Sequence, residues 1–217
     1  MSSAARWSLA TLVVVVALVV AIWPRNDGEA PSYEDRFGSG ARTTASVTAD
    51  PEALSELRSA AGLTSCPTPS GASTQNSVLS GIVLECVGDG SPVDLASALA
   101  GTPALVNLWA YWCEPCAEEL PYMQQFSDRA GDAVTVLTVH TDPDESRALS
   151  RLIDYAVTLP GVQDGDGRVR AAVEAPAVLP VSVLVRADGT VAKIVPQPFR
   201  SVDEIAAAVQ DNLGVAA

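Results

Sequence analysis

Residues 104–123 read ALVNLWAYWCEPCAEELPYM, and the architecture turns on them. Ala104 to Ala110 is a short apolar run that suits a strand buried on both faces. Glu114 to Ala130 reads as a helix, with Leu120, Met123 and Phe126 at helical spacing and Pro115 in its first turn. Cys113 and Cys116 sit where that strand would hand over to that helix. A cysteine at a helix N-terminus meets unpaired N–H groups and the positive end of the helix dipole, which stabilise a thiolate. The thiolate is the attacking species in disulfide exchange, and a second cysteine one turn along can resolve the mixed disulfide. Pro115 stiffens the turn and needs no hydrogen-bond partner.

Working outward, the other segments alternate. Ile82 to Leu84 predicts a short strand, Pro92 to Ala100 a short helix, and Ala133 to Val139 a second buried strand. Asp144 to Val157 predicts a helix with Leu149, Ile153 and Ala156 inward, and Asp166 to Val173 a shorter one. Val181 to Val185 and Thr190 to Val195 form a hairpin across Ala187-Asp188-Gly189. Ser201 caps a last helix through Leu213, with Glu204 three residues on as a capping box. Helical crossovers make the first strands parallel and the tight turn makes the hairpin antiparallel, so the expected class is α/β, a mixed sheet with helices on both faces.

The stretch from Asn107 to Met123, with WCxxC enclosing Glu-Pro and an E-x-P run after it, resembles the TlpA/ResA branch of the thioredoxin superfamily over roughly residues 77–213. The resemblance implies a thioredoxin-like fold and protein thiol–disulfide exchange with Cys113 and Cys116 as the catalytic, redox-active pair and no other cofactor. It implies a cis-proline at Leu179-Pro180, facing the active-site disulfide and exposing backbone for strand-like pairing with a substrate. Trp112, Glu114, Pro115, Leu179 and Pro180 would then line the substrate groove. In haem-maturation relatives a carboxylate three residues after the second cysteine tunes the thiols. Here it is Glu119, a pKa-tuning or proton-transfer candidate whose bland alternative is a solvated helix residue. By resemblance the expected activity is reduction of disulfides in exported proteins, in cytochrome c maturation with apocytochrome c as substrate. Electrons would arrive from a membrane thiol carrier of the CcdA/DsbD kind. A disulfide-donating oxidase and a non-catalytic binding module are the alternatives.

Before the domain, Trp7 to Trp23 carries no charge and is bracketed by two tryptophans, with Arg6 ahead and Pro24-Arg25 behind. At about 1.5 Å per residue such a helix just reaches across a thin hydrocarbon core. Residues 1–25 therefore read as a transmembrane anchor, N-terminus in, with the remainder outside the cytoplasmic membrane. A cleaved signal peptide is the competing reading, disfavoured because Val19-Val20-Ala21 lies inside the apolar run. Residues 26–76, rich in Ser, Thr, Ala, Pro and Gly, read as linker and lead-in, with a short helix over Pro51–Ala61. Residues 77–217 are the expected domain. A net charge of −13 repels phosphate and excludes nucleic acid as a partner.

Cys66 and Cys86 depart from the branch's simplest members. They read as a structural disulfide clamping the lead-in onto the domain, or as a second redox pair; Pro67 and Pro69 make the Cys66 neighbourhood a stiff loop, as a clamp needs. No metal site is expected, because a four-cysteine zinc site usually shows two close pairs. His140, the single histidine, has no partner pattern around it. Asp142, Asp144 and Glu145 read as a helix cap and Asp164-Gly165-Asp166-Gly167 as a turn.

Overall fold

The computed structural model describes residues 50–216, so the apolar run Trp7–Trp23 lies outside the described residues. Among those described, no helix is long and apolar enough to cross a membrane. In chain order the elements are α1 (Pro51–Ala61), β1 (Val83–Cys86), β2 (Pro92–Asp94), α2 (Leu95–Leu99), β3 (Ala104–Trp109), α3 (Glu114–Ala130) and a 3-10 turn (Gly131–Ala133). Then come β4 (Thr135–His140), α4 (Glu145–Asp154), β5 (Gly161–Gln163), α5 (Arg168–Ala172), β6 (Val181–Val185), β7 (Val191–Val195) and α6 (Val202–Leu213).

The strands form one sheet in the order β2-β1-β5-β4-β3-β6-β7. β3 pairs parallel with β4, and β4 with β5, while β6 runs antiparallel to both β3 and β7. β3 is buried along its whole length, and its side chains alternate between two cores. Ala104, Val106 and Leu108 join the face shared with α2 and α5, whereas Leu105 and Trp109 join the face shared with α3 and α6. Burial on both faces is why the strand reads as a continuous apolar run. The mixed sheet with helices on both faces is the thioredoxin-like α/β arrangement.

Several boundaries depart from the sequence expectation. The expected helix from Pro92 is instead strand β2 followed by five-residue α2, with Asp94 as cap accepting from the Ser97 amide at 2.9 Å. The chain reverses in the tight turn between Cys86 and Pro92, closed by the Gly90 amide on the Cys86 carbonyl at 2.7 Å. β1 accordingly pairs antiparallel with both β2 and β5. Strand β5 escaped the sequence reading because three residues are too few to show a period. α4 stops at Asp154 and buries Ala148, Leu149 and Leu152; Ile153 is exposed, and Ala156 leaves the helix with a φ of 53°. Ser201 caps α6 as expected, but Glu204 reaches back to the amide of Arg200 rather than to Ser201's own.

Residues 50–76 do not hang free of the domain. α1 lies on α4, with Ala61, Val87 and Leu149 as a small apolar cluster and Leu54 and Leu57 against it. Arg58 pairs with Glu145 at 2.9 Å, and Thr64 donates its amide to the Thr158 carbonyl at 2.7 Å. A Ser- and Pro-rich segment can be ordered this way because a few apolar anchors and a covalent link replace a large core of its own.

Candidate active site

The chain leaves β3 at Trp109 and enters α3 at Glu114, so the four residues between them form the turn at the carboxyl end of the central strand. Cys113 is the N-cap of α3: its sulfur accepts from the Cys116 amide at 3.3 Å. The two sulfurs are joined as a disulfide. Their surroundings differ. Cys113 is 6% exposed and Cys116 is 0% exposed, packed among Leu120, Met123 and Phe126 on the inner face of α3. An incoming sulfur can therefore reach Cys113 and not Cys116.

Two clefts meet at Cys113. The first, about 520 Å³, runs between Trp112, Glu114 and Pro115 on one side and Ala177, Val178 and Leu179 on the other, with Arg170 also lining it. The Leu179–Pro180 peptide is cis; Leu179 faces the cleft and Pro180 is buried behind it. The second, about 440 Å³, is lined by Tyr111, Glu118, Arg151 and Tyr155. Trp112 borders both and is 59% exposed. Its indole N–H donates to Asp142 Oδ2 at 3.0 Å, and Asp142 Oδ1 accepts the Asp144 amide at 2.9 Å. Asp144 caps α4 as read from sequence, accepting from the Arg147 amide, whereas Glu145 instead pairs with Arg58. Asp164 likewise closes its turn, accepting from the amides of Arg168 and Val169.

Behind the disulfide, the α3 face of the sheet carries polar residues. Glu119, fully buried on α3, accepts from the Phe199 amide at 2.9 Å and from Asn107 Nδ2 at 2.8 Å. Asn107 also donates to Ser182 Oγ at 3.1 Å, and the two face each other in the β3–β6 register. Burial pushes the Glu119 carboxyl up to about 7, against the lowering effect of both hydrogen bonds. Glu119 is thus not a solvated helix residue. It shares the inner face of α3 with Cys116, one turn away. His140 is buried against Trp109, ring centroids 5.0 Å apart. Its Nδ1 meets Gln163 Oε1 at 2.9 Å, while Gln163 Nε2 donates to the Asp142 carbonyl. Because that amide oxygen only accepts, Nδ1 carries the proton, and Nε2 has no partner among the described residues. Burial holds His140 below the usual histidine range, so it stays neutral at neutral pH.

Asn107, Ser182 and the Phe199 amide were not singled out in the sequence. Asn107 left a signal, being the one polar residue in an otherwise apolar strand. Ser182 and Phe199 left none, because only the tertiary fold brings them to Glu119. Cys66 and Cys86 form a second disulfide across a separation of 20 residues, both buried in the core on the other face of the sheet.

A disulfide at the start of a helix that follows a central strand, opposite the loop preceding an antiparallel hairpin, defines the thioredoxin-like class. Within it, the family described as Redoxin matches residues 68–209, and the chain belongs to that family. The thiol-disulfide oxidoreductase ResA of Bacillus subtilis (strain 168) is 32% identical over 108 residues, covering 49% of this chain and 59% of that protein. ResA of Oceanobacillus iheyensis is 31% identical over 108 residues, covering 49% and 55%. The matched stretch thus spans little more than half the length of these curated relatives. Among solved structures, a secreted Mycobacterium tuberculosis disulfide oxidoreductase homologous to E. coli DsbE is 29% identical with a TM-score of 0.52, covering 60% of this chain and 95% of that one. MTB DsbF is 25% identical with a TM-score of 0.55, covering 62% and 96%.

Proposed function

We propose that this chain is a thiol–disulfide oxidoreductase that reduces disulfides in exported proteins, with Cys113 attacking and Cys116 resolving. The observation that carries the reading is the asymmetry of the pair: Cys113 opens onto two clefts at a helix N-terminus, while Cys116 is sealed in the core. The Cys113 thiolate attacks one sulfur of the substrate disulfide and releases the other as a thiolate. The Cys116 thiolate then attacks Cys113 in the mixed disulfide and releases the second substrate thiol. The substrate gains two electrons and two protons, and the pair ends as the disulfide. Glu119, buried one turn from Cys116, is suited to take the proton that Cys116 loses.

The first cleft is the substrate groove in this reading, with Leu179 and Pro180 forming its far wall and Trp112, Glu114 and Pro115 its near wall. Cys66–Cys86 is a structural clamp, supported by the burial of both sulfurs. The apolar run Trp7–Trp23 tethers the domain outside the cytoplasmic membrane. The resemblance of residues 107–123 to the TlpA/ResA branch points to cytochrome c maturation as the pathway, apocytochrome c as substrate and a membrane thiol carrier of the CcdA/DsbD kind as electron donor.

The test is the reduction potential of Cys113–Cys116 in the wild type and in a Cys66→Ser/Cys86→Ser double variant. A value near the thioredoxin end, about −270 mV, supports a reductase; a value near about −120 mV makes the protein a disulfide donor. Cys113→Ser must abolish turnover of a protein disulfide; full turnover in that variant would leave only a binding module.

A further inference from the structure

The first cleft contains a cation that the exchange chemistry does not use. Arg170, on α5, lines the same cavity as Cys113. Its Nη1 donates to the carbonyl of Pro176 and, at 3.2 Å, to that of Val178. Both carbonyls belong to the exposed loop that leads into Leu179 and forms the cleft's far wall. The guanidinium is therefore held against the wall by backbone acceptors instead of swinging in solvent. Among the described residues no carboxylate lies within ion-pair distance of it; Arg168, Arg186 and Arg200 share that lack, but Arg170 alone of these four lines a cleft that Cys113 also lines. In a chain of net charge −13, this cation is pre-positioned in the cleft onto which the reactive sulfur opens.

We propose that Arg170 is a specificity-determining residue that selects peptide segments carrying a carboxylate close to the cysteine. Glu114 stands on the opposite wall and repels an acidic side chain there, so the charge pattern also sets the direction in which a segment lies. The selected carboxylate lies on the Val178 side of the cleft. The backbone hydrogen bonds fix the guanidinium before binding, so less side-chain entropy is lost when the ion pair forms.

This inference rests on the first cleft being the substrate groove, and its test does not need turnover. Cysteine-free peptides of one sequence, with Glu, Gln or Lys beside the position of the cysteine (held as Ala), are titrated into the oxidised full chain, with calorimetry as the readout. The Glu peptide is expected to bind about fivefold more tightly than the Lys peptide at low salt, and the gap to close at high salt. In Arg170→Gln the preference disappears; in Arg170→Lys, which keeps the charge, most of it returns. A preference that survives unchanged in Arg170→Gln, or no preference in the wild type, overturns the proposal. Loss of disulfide turnover with the peptide preference intact would count against the oxidoreductase reading alone.

Discussion

Glu119 is the residue whose chemistry follows most directly from its surroundings. Its ordinary value of 4.5 is pushed up to about 7 by burial, so between those values the native chain keeps a proton that the unfolded chain releases. Native stability from this group is complete below pH 4.5 and falls as pH rises through 7, by on the order of 3 kcal/mol in all. Glu119→Gln removes that slope. Urea melts from pH 4.5 to 8 are expected to show the variant gaining on the wild type as pH rises; parallel curves would contradict the buried carboxylate. The same substitution is expected to flatten the pH dependence of disulfide turnover near pH 7, because the Cys116 proton loses its acceptor. In the reduced protein, Cys113 is expected to react with iodoacetamide well before Cys116. Mass mapping of the modified peptide checks this, and it follows from exposure at one sulfur and none at the other.

At the scale of elements, the part of the sheet formed by β1 and β5, with the lead-in, is held by close approaches. A Cβ on Gly161 would stand 2.5 Å from Thr138 Oγ1 across the β4–β5 pairing. Gly161→Ala is therefore expected to cost about 1–3 kcal/mol in denaturant melts, since the buried Thr138 hydroxyl, which donates to the Pro160 carbonyl, must give way. The Cys66–Cys86 bond ties the lead-in to β1 in this same region across a separation of 20 residues. Replacing both by serine is expected to lower stability by about 3 kcal/mol, with the potential of Cys113–Cys116 unchanged. A shifted potential would move the second pair from clamp to relay.

For the whole molecule, the extent of the folded unit is the testable quantity. A chain beginning at Ser77 keeps the sheet's strands but loses α1, the Arg58–Glu145 ion pair and the Cys66 link. It is expected to melt several degrees below a chain beginning at Asp50. Equal midpoints would return residues 50–76 to the role of a tether. α4, against which α1 packs, presents Arg151 to the second cleft, so the lead-in also supports one wall beside Cys113.

Local pattern alone was enough for the redox turn, for α3 and for the β6–β7 hairpin. An apolar run, a cysteine pair at a helix start and a turn sequence each declare themselves within a dozen residues. The likeness to the TlpA/ResA branch, over residues 107–123 and at Leu179-Pro180, singled out Glu119 and Pro180, which no periodicity marks. What the sequence could not supply was every relation between distant segments. These are the antiparallel docking of β1, the three-residue β5, α1 on α4, the Asn107–Glu119–Phe199 contacts and the cleft that Arg170 shares with Cys113. Such contacts depend on which faces the packed sheet and helices turn toward one another, and neighbours along the chain carry no record of that.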